Sequence, residues 1–146
     1  MEVSIRECIT ADAEAVYSLN KTELGYDYPI EQTRKKLAKI LTNRENKIWV
    51  AVCNENVVGY VHANDYDVIY APHMKNIMGI AVSKDYQRQG IGKMLLDAVE
   101  HWAKQTGADG IRLVSGATRM SAHSFYQKCG YDTSKHQINF KKFLNN

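Results

Sequence analysis

The residues best suited to chemistry in this sequence are Gln87-Arg88-Gln89-Gly90-Ile91-Gly92-Lys93. Two glycines one residue apart let backbone N–H groups converge with no Cβ in the way. The apolar run Ile77-Met78-Gly79-Ile80-Ala81-Val82 precedes them, and Met94, Leu95, Leu96, Val99 and Trp102 follow at helical spacing. The loop therefore joins a strand to a helix N-terminus, whose unpaired donors and positive dipole end attract anions. This suits a pyrophosphate. Two other nucleotide motifs fail on the same glycines. A P-loop needs Gly-x-x-x-x-Gly-Lys-Ser/Thr, and the dinucleotide fingerprint needs a third glycine where Leu95 stands.

The rest of the chain must position that loop. With 146 residues, 45% apolar and 24% charged, it can bury one good core, so one domain over residues 1–146 is expected. The first seven residues carry charge where a signal peptide needs an apolar core, and no apolar run approaches about 18 residues. A cytoplasmic protein with no membrane partner follows. Cys8, Cys53 and Cys129 show no Cys-x-x-Cys spacing and read as packed thiols, with no disulfide. Histidines 62, 73, 101, 123 and 136 lack ligand spacing, so no metal is expected. The net charge of +3 is mild. Its densest segment, Arg34-Lys35-Lys36 with Lys39, lies among Ile30, Leu37, Ile40 and Leu41 and reads as the solvated face of a helix, with no nucleic-acid partner.

In chain order, Val3 to Glu7 reads as a short strand, and Thr10 as the N-cap of a helix burying Ala13, Val16 and Leu19. The segment from Gly25 to Pro29 breaks that helix, and a second helix runs to about Leu41. Residues 47–53 and 57–63 form a hairpin about Asn54-Glu55-Asn56, and the strand at 76–82 completes an antiparallel meander. The helix after Gly90 ends at Gly107, and residues 111–114 return as a strand parallel to the one before the loop. Residues 121–128 suit a helix ended by Gly130, and 137–143 a last strand. The fold class is α/β: a mixed sheet with helices on its faces, in the order β-α-α-β-β-β-α-β-α-β.

With the loop placed, a second motif becomes legible: Ala122-x-x-Phe125-Tyr126 followed by Gly130-Tyr131. The two motifs, about 30 residues apart in the right strand and helix contexts, make the chain resemble the GCN5-related N-acetyltransferase (GNAT) family over essentially its whole length. The resemblance implies an acyltransferase that uses acetyl-CoA. It implies that the backbone of Ile80, Ala81 and Val82 pairs with the pantetheine arm as an added strand would. It places the pyrophosphate on residues 87–93, with the Arg88 and Lys93 side chains as further phosphate contacts. The fourth and fifth strands should splay to admit the thioester between residues near Ile80 and near Ser115. Tyr126 stands where the family has a tyrosine close to the thioester sulfur, and a phenol there can protonate the departing thiolate. Ser121 replaces the family's usual asparagine and offers a shorter cofactor contact.

The base is unassigned. Some members carry a glutamate on the fourth strand, at the position of Asn76, which cannot accept a proton. An alkylamine with a pKa of ~10.4 costs about 4.6 kcal/mol to supply in neutral form at pH 7, so a water relay to Glu23, Asp65 or His73, or binding of the minor neutral form, must offset that. The segments expected to border the acceptor mix acids with aromatics: Glu23, Tyr26, Asp27 and Tyr28, then Asp65, Tyr66, Asp67 and Tyr70. They favour a small cationic amine, while Arg119 and His123 would favour an anionic one. Direct transfer to a primary amine is the expected reaction. A CoA-binding sensor without transfer, or an RNA-associated module, is the alternative. The family's habit of pairing through sheet edges or last strands also allows a homodimer.

Overall fold

The computed structural model describes residues 2–133 and 135–144, in two compact units divided between Leu113 and Val114. The first unit holds β1 (Val3–Glu7), α1 (Ala13–Glu23), α2 (Ile30–Leu41), β2 (Asn46–Cys53), β3 (Asn56–Tyr66), β4 (Met74–Val82), α3 (Ile91–Gln105) and β5 (Gly110–Leu113). The five strands form one sheet in sequence order, antiparallel except for the parallel pair β4 and β5. The meander and the parallel return are as the sequence predicts.

The β2–β3 turn is tighter than expected. Only Asn54 and Glu55 lie between the strands, both left-handed at φ 50° and 66°, the backbone that a two-residue hairpin turn requires. A second irregularity falls between β3 and β4. Pairing passes from His62↔Gly79 to Ala63↔Ile77, so Met78 is the extra residue of a bulge.

Entry into α1 differs from the expected Thr10 cap. Residues 10–12 form a 3-10 turn, and the Asp12 carboxylate does the capping. It accepts the Ile9 N–H at 2.9 Å and two guanidinium bonds from Arg6, at 2.8 and 2.9 Å. A charged, doubly bonded carboxylate is the stronger partner for that turn than a hydroxyl.

The two sheet faces bury different sets. Ile48, Val50, Tyr60 and Ala81 pack with Cys8 and with Ala13, Val16, Leu19 and Leu37 of α1 and α2. On the other face, Ile91, Leu95, Leu96 and Val99 of α3 are sealed from solvent, and Trp102 meets Trp49 edge-on at 5.8 Å. The alternation of β2 and the 3.6-residue repeat of α3 account for both layers.

In the second unit, α4 (Met120–Lys128) ends at Gly130, φ 91°, as the sequence predicts. The order is matched through α4. The last expected strand is not formed: residues 137–143 pair with none of the described residues, and Ile138, Phe140 and Phe143 are exposed. Ile138 and Phe140 alternate as in a strand while Phe143 falls off that period, and a strand also needs a partner edge for its backbone groups.

Candidate active site

β5 pairs with β4 only from Met74↔Gly110 to Ile77↔Leu113, whereas β4 runs on to Val82. On that side residues 78–82 have no strand partner among the described residues. This unpaired edge leads directly into the glycine loop. Arg88 and Gly90 are both left-handed, φ 63° and 82°, and turn the chain sharply into α3. A Cβ at Gly90 would touch nothing within 4 Å, so the backbone angle, not crowding, calls for glycine. Ile91, 1% exposed, pins the first turn to the core. That turn has no acidic residue and no side-chain cap, so it meets an anion unopposed.

Gln87 braces the loop from within. Its amide nitrogen donates to the Val82 carbonyl at 3.0 Å and to Glu23 Oε1 at 3.2 Å, and Glu23 Oε2 accepts the Lys84 N–H at 3.3 Å. Glu23, expected toward the acceptor, is thus tied to the loop. Lys93 Nζ is drawn back to Asp97, at 3.1 and 3.2 Å.

In the second unit, Tyr126 is buried, with the rings of Phe125 and Tyr131 at 5.3 and 6.2 Å. Burial pushes its phenol above the ordinary tyrosine value, Arg119 pulls it down and Cys129 adds to the rise. Ser121 lies exposed in the first turn of α4, directly after Arg119 and Met120, and His123 meets the Gly116 carbonyl at 2.9 Å. Ser115 Oγ is buried with no partner among the described residues.

Of the residues expected to border the acceptor, Tyr26 lines a groove of about 530 Å³ with Asn20, Gly25, Asp27 and Tyr28. Asn20 is held by Tyr60, whose hydroxyl lies beneath Gly79, 3.2 Å from where a Cβ would stand. Asp65 is committed elsewhere. It accepts Lys75 Nζ at 3.0 Å and meets His73 Nε2, and Lys75, 3% exposed, lies 3.8 Å from the centre of the Trp102 ring. Burial pushes the Asp65 carboxyl up, but the bonds from His73 and Lys75 outweigh it and hold the group below the usual range. Tyr66 carries the Arg112 guanidinium on its ring, at 4.2 Å.

Sequence reasoning missed a polar rung. Register places Asn46, Asn64, Asn76 and Arg112 side by side across β2, β3, β4 and β5, all half-buried. Arg112 Nη1 donates to Asn76 Oδ1 at 2.6 Å, and Asn76 Nδ2 donates to Asn64 Oδ1 at 3.2 Å. One level along, His62 pairs with Asn46 at 2.8 Å, and burial holds its pKa below the ordinary histidine value. The available signal was β3 itself, whose alternate positions change from apolar to polar at His62, Asn64 and Tyr66.

The sequence matches the acetyltransferase (GNAT) family over residues 13–131. This chain belongs to the GNAT family. It is similar to the uncharacterized N-acetyltransferase YvbK of Bacillus subtilis (strain 168), 44% identical over 61 residues, a stretch that is 41% of this chain and 39% of the relative. The matched part thus spans well under half of YvbK. The aminoglycoside N(6')-acetyltransferase type 1 of Stenotrophomonas maltophilia is 23% identical over 143 residues, covering 94% of this chain and 92% of that one. Among solved structures, AAC(6')-Iy in complex with the bisubstrate analog CoA-S-monomethyl-acetylneamine superposes with a TM-score of 0.87 at 18% identity, over 99% of this GNAT chain and all of the other. That likeness concerns the fold. Among the described residues no helix is long and apolar enough to cross a membrane.

Proposed function

We propose that the protein moves an acetyl group from acetyl-CoA directly to a primary amine of a small molecule. The observation that carries this reading is the unpaired edge of β4 running into the left-handed turn at Gly90. Bound acetyl-CoA supplies an activated acyl thioester. Ile80, Ala81 and Val82 offer that edge to the pantetheine amides, with the Val82 carbonyl shared with Gln87. The N–H groups of residues 88–93 face the pyrophosphate, and the exposed Arg88 side chain adds charge. Ser121 and the unpartnered Ser115 Oγ serve as short polar contacts. The acidic, aromatic groove at Tyr26 and Asp27 suits an incoming amine.

Tyr126 holds the proton that the departing thiolate needs. A phenol is protonated at neutral pH and burial shifts this one further that way, so Oη carries the proton to be donated as the thiolate departs. Transfer is direct, since no step requires a nucleophilic thiol; Cys8 and Cys53 are buried and Cys129 is half-buried. Names among the relatives that act on aminoglycosides support an amine acceptor.

Two variants test the reading. Gly92 is the second residue of α3 and does not have a positive φ, so Gly92→Glu should leave the helix intact or slightly firmer while setting a carboxylate where phosphate sits. Calorimetry should show acetyl-CoA affinity reduced by ~10²-fold or more. Unchanged affinity would mean that the cradle lies elsewhere. Tyr126→Phe should bind acetyl-CoA normally and turn over ~10²-fold more slowly.

A further inference from the structure

We infer that the acceptor amine carries a carboxylate, and that Arg112 is the residue that holds it. This rests on the acetyl-transfer reading above and names the acceptor's second group.

Arg112 is a half-buried cation with no carboxylate within ion-pair distance among the described residues. Among the described residues Arg6, Arg34, Lys47, Lys75, Lys93 and His73 all have acidic partners within ion-pair distance, and Arg112 has none. Asp65, the acid next to Tyr66, belongs to the opposite face, with Lys75 and Trp102. A partly desolvated guanidinium costs free energy unless something offsets it, and its planar fork of donors matches a carboxylate.

The surroundings point the same way, because they present hydrogen-bond donors. Asn76 Oδ1 is taken by Arg112, and Asn64 Oδ1 by Asn76. The Asn64 amide nitrogen therefore has no hydrogen-bond partner among the described residues. The guanidinium carbon lies over the Tyr66 ring, 4.2 Å from its centre, which restricts where the group can sit. A guanidinium with a free amide donor two strands away on the same rung attracts an anion and repels an ammonium.

Position ties the rung to the reaction. Arg112 is level with Asn76, and the next level on the same face is His62 and Gly79, beneath the unpaired edge of β4. One level of a sheet face is two residues, about 7 Å. An amine at Gly79 and a carboxylate at Arg112 are thus spanned by a free amino acid or a short peptide.

The test is steady-state transfer from acetyl-CoA to matched acceptors: an amino acid, its carboxamide and a diamine of similar length, with the parent, Arg112→Gln and Arg112→Lys. In the parent, kcat/KM should favour the acid over its carboxamide by ~10-fold or more. Arg112→Gln should remove that preference by raising KM for the acid far more than for the carboxamide, and Arg112→Lys should restore part of it. Equal rates for acid and carboxamide in the parent would overturn the inference without any variant. So would a preference for the diamine, or an Arg112→Gln loss that is the same for all three; each of these leaves acetyl transfer standing. No thiol release with any amine would overturn both readings together.

Discussion

Two cations stand on opposite faces of the sheet, near the same end of β4. Lys75 is enclosed: its ammonium lies against Trp102 and bonds Asp65, which also meets His73. Arg112 lies over the Tyr66 ring and hydrogen-bonds an amide, and among the described residues no acid pairs with it. The first cation brings its anion with it, so its chemistry is complete and its work is packing. The second leaves a position for an anion to fill. Burial alone does not tell a structural charge from a receptive one; the inventory of partners does.

The largest expected difference between the faces is in stability. Lys75→Ala removes a buried charge from its partner and a stem from beneath Trp102, and should cost about 3–4 kcal/mol in chemical denaturation. Arg112→Ala should cost about 1 kcal/mol or less, the loss of one amide bond and one ring contact. Lys75→Met should recover much of the loss, because its chain still covers the indole. Equal costs for the two alanine variants would erase the distinction.

Arg6 and Asp12 form another closed pair and should behave like Lys75. Asp12→Asn should cost about 2 kcal/mol, since it weakens both the ion pair and the cap on Ile9. The pair also gives a pH signature. Arg6 holds the Asp12 carboxyl below the usual range, so its stabilisation is present above the ordinary aspartate pKa and is lost as pH falls through the lower, folded value. Acid titration of the Asp12→Asn variant should lack that component.

The smallest expected effect is on the open face. Burial lowers the His62 pKa, so the unfolded chain takes up the proton first. Stability should therefore fall as pH drops below about 6.5. His62→Gln should flatten that slope, and an unchanged slope would show that His62 is solvated.

What could be read from the sequence was local. Gly90 and Gly92 lie between an apolar run and a helical repeat, so strand, loop and helix announce one another within about 30 residues. The meander was legible for the same reason. Features set by distant pairing were not. Asn46, Asn64, Asn76 and Arg112 span 67 positions of the chain and meet only through register across four strands. The face on which Asp65 lies depends on the same register, so an acid suited to an acceptor turned out to serve Lys75. Residues 137–143 show the converse: Ile138 and Phe140 alternate as in a strand, and pairing decides whether one forms.

The account rests on acetyl transfer, and the most direct test is thiol release. Mixing the protein with acetyl-CoA and an amine panel should liberate free CoA thiol only when an accepted amine is present, one thiol for each N-acetylated product found by mass spectrometry. Tight binding of acetyl-CoA with no thiol released by any amine would contradict it, and would make the chain a CoA-binding module.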